Sequence, residues 1–160
     1  RLRGVEVDFT TELLEVGGQT KIAYYRMTLP RLLHYRQRRA YYRVQVGAGH
    51  SIPVLMKRAH ETLGGELWDI SVGGMSVRLP HTGPAPLPIQ QGDILDSCRI
   101  NLDPVTEIAS KLEVRFVSYD EGVGALRIGG RFVDLTKSHQ HTLERFVANV
   151  DRTLRKRVKG

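Results

Sequence analysis

Five arginines crowd one short stretch of this 160-residue chain, which runs Arg31-Leu32-Leu33-His34-Tyr35-Arg36-Gln37-Arg38-Arg39-Ala40-Tyr41-Tyr42-Arg43. Like charges so close together repel unless a counter-charge is supplied. The chemistry such a set suits is the holding of an anion. A guanidinium presents a planar fork of donors that meets paired oxygens two at a time, and it also stacks on aromatic faces, which an ammonium does poorly. Downstream, Asp69-Ile70-Ser71-Val72-Gly73-Gly74 sets a carboxylate, a hydroxyl and two glycines in the pattern of an Asx or Ser turn. Arg38, Arg39 and Arg43 against the one carboxylate of Asp69 leave positive charge over, which points to an anionic ligand. The alternative, that Asp69 pairs with one of them only to fasten two segments together, stays open at this level.

Other chemistry is harder to support. Asp, Ser and His are all present, but no Gly-x-Ser-x-Gly elbow, Walker loop or paired-acid motif accompanies them, so the chain reads as a binder and not an enzyme. The six histidines (34, 50, 60, 81, 139 and 141) lack metal-ligand spacing. A lone cysteine, Cys98, lies in the apolar alternation from Ile94 to Leu102; it is expected to be buried and can form neither an internal disulfide nor a thiolate metal centre. No metal and no cofactor is expected. Lys and Arg number 24 against 17 Asp and Glu, and the net charge of +7 attracts nucleic acid, anionic lipid or a phosphorylated small molecule alike. A second basic cluster, Arg152, Arg155, Lys156, Arg157 and Lys159, reads either as a solvated helix end favoured by the helix dipole or as a contact to nucleic acid or an acidic partner.

The elements that must position these groups are mostly strands. Residues 4–15 and 20–29 are rich in Val, Thr, Ile and Tyr and are expected to form a hairpin turning at Gly17-Gly18. Residues 31–41 are expected to be an arginine-rich linker. Strand-like segments follow at 42–47, 51–61, 66–71, 74–80, 93–102, 110–119 and 124–135. They are separated by Gly47-Ala48-Gly49, Leu63-Gly64-Gly65, a proline-rich loop over 81–92, and Glu121-Gly122-Val123-Gly124. Many short strands between Gly and Pro turns indicate an all-β sandwich or small barrel. The alternation of Leu112, Val114 and Phe116 should face inward, and the neighbours Tyr41 and Tyr42 should split between core and surface. Thr136 or Ser138 is the expected N-cap of a last helix whose Leu143, Phe146, Val147, Val150 and Leu154 stripe packs on the barrel or, in part, on a second copy. No run of apolar residues is long enough to cross a bilayer as a helix, and no signal-peptide layout is present, so an intracellular protein is expected. Because the chain opens on Arg1 in a strand-like segment, it is expected to be part of something longer.

Arg39-x-x-x-Arg43 followed by Asp69-x-Ser71-x-x-Gly74, entering a β-barrel from an arginine-rich linker, resembles the RxxxR and D/NxSxxG signature of the PilZ family. The resemblance covers roughly residues 37 to 155. It extends to Gly129-Gly130-Arg131-Phe132-Val133-Asp134-Leu135, which is similar to the family's late strand before its C-terminal helix. It implies a small six-stranded antiparallel β-barrel with a C-terminal α-helix over 42–160. Residues 1–30 would be the tail of an N-terminal β domain, as in flagellar-brake-type members. It also implies a ligand, cyclic di-GMP, and no cofactor.

On that ligand, Arg38, Arg39 and Arg43 would meet phosphate oxygens or guanine O6 and N7. Asp69 would accept from guanine N1–H and the N2 amino group, telling guanine from adenine, and Ser71 would donate to a phosphate. Gly73 and Gly74 would make room for a turn or for the ligand. Arg36 and Gln37 are rim candidates, Arg131 is a further one, and Trp68 either walls the site or packs in the barrel. The implied action is a rearrangement of domains when ligand binds at the linker, regulating motility. Implied partners are flagellar motor proteins in the cytoplasm at the basal body, and an oligomer can form through the last helix. No nucleic-acid partner is expected.

Overall fold

The computed structural model describes residues 5–19, 22–37, 39–46, 51–80, 89–120 and 124–157, and the chain divides into two compact units, Arg1–Ala40 and Tyr41–Gly160. In the first unit, β1 (Val5–Asp8) pairs antiparallel with β4 (His34–Gln37), from Val5 opposite Gln37 to Asp8 opposite His34. Between them β2 (Leu13–Gln19) and β3 (Ile22–Met27) form a hairpin. Its open end is pinned by Thr28, whose backbone N–H donates to the Glu12 carbonyl at 3.0 Å and whose carbonyl accepts from the Thr11 hydroxyl. Glu15 fastens the ladder, pairing with Arg26 at 2.9 Å and accepting from the Tyr24 hydroxyl at 3.0 Å.

Two expectations fail here. Gly17 and Gly18 are not the turn but strand residues opposite Tyr24 and Ala23, and a Cβ on Gly17 would run into the Tyr24 ring. The connection falls at residues 20–21, outside the described residues. The stretch expected as linker also contains a strand, so Arg36 and Gln37 belong to a sheet.

The second unit is a closed barrel. Its strands are β5 (Val44–Gln45), β6 (Pro53–Arg58), β7 (Glu61–Ser71), β8 (Gly74–Pro80), β9 (Ile94–Asp103), β10 (Thr106–Asp120) and β11 (Ala125–Phe132). Six of them follow in the order β7-β6-β9-β10-β11-β8, and β8 pairs back onto β7, so the antiparallel sheet has no open edge across that seam. β7 is long enough to serve three neighbours. Its first half pairs with β6, its end with the two-residue β5, and its other side with β8.

Alternation along the strands fills the barrel: Val54 and Met56, Leu67, Val77 and Leu79, Leu95 and Ile100, Leu112 and Val114, and Ile128 are all buried. Cys98 is fully buried among them, and burial pushes its thiol up to about 12. The Leu63-Gly64-Gly65 stretch is not a turn. It runs inside β7, where a Cβ on Gly65 would crowd the Arg78 carbonyl and Val77, and the chain reverses instead at Ala59, which takes the left-handed φ of 50°. Phe116 is half-buried, at a slip in the β10–β11 register. The Gly47-Ala48-Gly49 segment, residues 81–88 of the proline-rich loop and residues 121–123 lie outside the described residues.

The helix α1 (Lys137–Arg157) starts at the expected cap, the Thr136 hydroxyl accepting from the His139 N–H at 3.2 Å. Leu143 and Val147 complete the core, with Phe146 and Val150 packed at its margin. The strand expected over 42–47 is only Val44–Gln45, so Tyr41 and Tyr42 precede it; both are about half exposed and neither enters the core.

Candidate ligand-binding site

β7 and β8 are joined by two residues, Val72 and Gly73, with Ser71 opposite Gly74 at the neck. The buried Ser71 hydroxyl donates across that neck to the Gly74 carbonyl at 3.1 Å. The tip leans on β11: Phe132 N–H donates to the Gly73 carbonyl at 3.1 Å, and a Cβ on Gly74 would sit well under 3.0 Å from the Gly130 carbonyl oxygen. At Gly73 the missing Cβ makes room for the Tyr41 ring. Tyr42 donates to Asp151 Oδ1 on α1 at 2.7 Å, and Asp151 Oδ2 also holds Arg155 at 2.7 Å. The two tyrosines inside Arg39-x-x-x-Arg43 are therefore tethers. One seats on the hairpin tip and the other on the helix, and they deliver Arg43 beside the core residue Val44.

The β7–β8 register slips between Leu67 and Asp69, at Trp68. Such a bulge re-aims the side chains around it. Asp69 is only 9% exposed. Its Oδ2 accepts from Arg127 Nη2 at 2.6 Å, while its Oδ1 lies 3.6 Å from Arg43 Nη1, near enough for charge pairing and too far for a hydrogen bond. Among the described residues, Oδ1 has no hydrogen-bond partner. Arg127 donates in addition to Ser76 Oγ, from Nε at 3.3 Å and Nη2 at 3.2 Å. Its guanidinium lies 5.5 Å from the Phe116 ring centre and 5.7 Å from that of Trp68, and Arg78 stacks on Trp68 at 3.9 Å. One nearly buried carboxylate thus faces two guanidiniums on the barrel wall made by β7, β8 and β11, and net positive charge is left over.

The structure brings Arg43 and Asp69 together, with Ser71, Gly73 and Gly74 in the adjoining hairpin. Trp68 is half-buried under Arg78 on the barrel surface and is not a core residue. Arg131 is occupied elsewhere, donating to Glu113 at 2.7 Å and 3.2 Å, and Glu113 also holds Arg115. Arg36, Gln37 and Arg39 belong to the first unit, where the Gln37 amide donates to the Arg39 carbonyl at 3.0 Å; Arg38 lies outside the described residues. Sequence reasoning missed Arg127, Ser76 and Arg78. Arg127 sits between the buried Leu126 and Ile128, where an outward arginine looks like any solvated strand residue, and only the cross-strand register shows what it meets. Among the described residues, no group of three potential metal ligands is found, and no helix is long and apolar enough to cross a membrane.

A closed six-stranded barrel with a two-glycine hairpin, and with an aspartate held between arginines on its outer wall, defines the class: a small closed β-barrel domain with a C-terminal helix and a basic outer wall. The family model for the PilZ domain matches residues 37–149, and the chain belongs to that family. It is 30% identical over 145 residues to flagellar brake protein YcgR of Thioalkalivibrio sulfidiphilus, an alignment covering 90% of this chain and 56% of that protein. Among solved structures it is similar to YcgR of Escherichia coli in complex with c-di-GMP, with TM-score 0.74, 23% identity, and 99% of this chain and 66% of that one covered. It is also similar to the Bacillus subtilis inhibitor of motility MotI/DgrA, with TM-score 0.72, 20% identity, and 94% and 68% covered. The chain spans about three-fifths of the length of the curated relatives it matches.

Proposed function

We propose that this chain binds cyclic di-GMP on the barrel wall around Arg43 and Asp69, as a receptor through which that messenger regulates flagellar motility. The observation that carries the reading is Asp69 Oδ1, an acceptor buried without a hydrogen bond beside an arginine that stops just short of it. Leaving a buried polar atom unsatisfied costs roughly 1–3 kcal/mol. A ligand that supplies the missing donor recovers that cost, and guanine offers two donors on one edge, N1–H and the N2 amino group. Membership of the PilZ family, likeness to proteins named as flagellar brakes, and likeness to a fold solved with c-di-GMP all support the reading.

In this reading the arginines of the first motif hold the phosphates and stack on the bases, without turnover of the ligand. Arg39 and Arg43 fall on either side of the division after Ala40, so a ligand gripped by both favours one arrangement of the two units over others. The partner is a protein of the flagellar motor, and the place of action is the cytoplasm at the basal body.

Calorimetric titration of the whole chain with cyclic di-GMP tests this. Arg43→Ala and Asp69→Ala each remove a charge-assisted contact of roughly 1.5–3 kcal/mol, so each should weaken binding about ten- to hundredfold with the circular dichroism unchanged. Absence of binding heat in the unmodified chain, or full affinity in both variants, sinks the reading. Hydrolysis of the ligand by the pure protein would make it an enzyme instead.

A further inference from the structure

Arg127 lies in neither motif, yet it makes the 2.6 Å contact that anchors the site's one carboxylate. We propose that Arg127 sets the base selectivity of this site: by binding Asp69 Oδ2 it fixes the carboxylate in one orientation, leaving Oδ1 as the acceptor turned toward a purine edge. The inference rests on the cyclic-dinucleotide reading above and adds a specificity-determining residue to it.

The two arginines around Asp69 are held very differently. Arg127 on β11 reaches Asp69 on β7 across β8, and the residue between them, Ser76, is the cross-strand partner of Asp69 and fully buried. Ser76 Oγ takes two donors of the Arg127 guanidinium, and the rings of Phe116 and Trp68 lie at cation–π distance from it. Four neighbours, on β7, β8 and β10, therefore restrict how Arg127 can turn. Arg43, by contrast, stands just before the two-residue β5 and approaches Oδ1 only to 3.6 Å. Arg127 is the fixed strut and Arg43 the exchangeable neighbour that yields Oδ1 to a ligand.

Selectivity follows from that rigidity. Guanine presents donors at N1 and N2, whereas adenine presents an acceptor at N1 beside its N6 donor. A carboxylate oxygen held opposite N1 sets acceptor against acceptor when the base is adenine. A carboxylate free to turn can avoid N1 and keep a bond to N6. Losing Arg127 should therefore relax discrimination and not merely weaken binding.

The test is titration of the whole chain and of Arg127→Gln, Arg127→Lys and Ser76→Ala with cyclic di-GMP and with cyclic di-AMP, each protein also followed through thermal unfolding. The preference for cyclic di-GMP should narrow by about tenfold or more in Arg127→Gln, the size of one charge-assisted contact, with Arg127→Lys intermediate. Ser76→Ala, which loosens the strut without removing it and replaces a buried hydroxyl by a methyl, should narrow it a few-fold. It carries the test by itself if Arg127→Gln does not fold. An affinity that falls equally for both ligands, leaving the preference intact, makes Arg127 a strut of the barrel only and overturns the inference while the reading of the site stands. Failure of the unmodified chain to bind cyclic di-GMP overturns both.

Discussion

Gly73 and Gly74 are neighbours in one motif and answer to different constraints. A Cβ at Gly74 meets the backbone carbonyl of Gly130, which cannot move without dragging β11, whereas a Cβ at Gly73 meets the ring of Tyr41, the end of a side chain that can swing. Overpacking against backbone costs about 1–3 kcal/mol, so Gly74→Ala should lower the melting temperature by roughly 5–10 °C, and Gly73→Ala by clearly less. Scanning calorimetry on the two variants decides it, and equal losses would show that Tyr41 is as immovable as the strand. At this scale the sequence was informative wherever chemistry is contiguous: Asp69, Ser71 and Gly74 are legible as a motif because a hairpin is local. The room at Gly74 read as space for a ligand or turn, but backbone of β11 occupies it.

Among the elements, the link from β11 to α1 depends on Asp134. Its Oδ1 accepts from the Lys111 N–H at 2.6 Å and from Ser110 Oγ at 3.1 Å, clamping that link to β10. The Lys111 N–H, with a smaller contribution from Ser110 and the Lys111 charge, holds the carboxyl below its ordinary range against the opposing effect of desolvation. A folded-state value below the unfolded one contributes stability that is complete above the unfolded value, near about 3.9, and is lost as pH falls through the folded value. Asp134→Ala should thus melt a few degrees lower than the unmodified protein at pH 7, and the gap should close in strong acid. A gap that persists undiminished below the folded value would show that the charge is irrelevant. Element boundaries were only partly legible. Alternation located the barrel strands, but Gly17 and Gly65 mimicked turns because glycine marks a close approach of neighbouring chain as readily as a reversal.

For the molecule as a whole, the proposed grip of a ligand by Arg39 and Arg43, which fall on either side of the division of the chain, predicts that binding changes how the two units are distributed. Cysteines introduced at Leu29 and Val105, which are 92% and 94% exposed, would carry a fluorophore pair, one on each unit. Cys98 is buried with its thiol pushed up to about 12 and should not compete for label. Cyclic di-GMP should shift and narrow the transfer-efficiency distribution, and Arg39→Ala should suppress the shift more than it suppresses binding. An unchanged distribution at saturating ligand would leave a receptor that signals by some route other than rearrangement.

Composition and alternation determined from the sequence alone that the chain is built of short strands, as a sandwich or small barrel, with a capped C-terminal helix; the two contiguous motifs marked Arg43 and Asp69 as site residues, and the choice of a barrel came with the family resemblance those motifs carry. Those signals have periods of a few residues and survive without knowledge of which strand lies beside which. The anchoring of Asp69 by Arg127, 58 residues further along, was decided only by tertiary structure. It depends on the order β7-β8-β11 and on a one-residue slip at Trp68. Register is a long-range property, set by the closure of the whole barrel, and a shift of one residue would have turned Arg127 to a different neighbour.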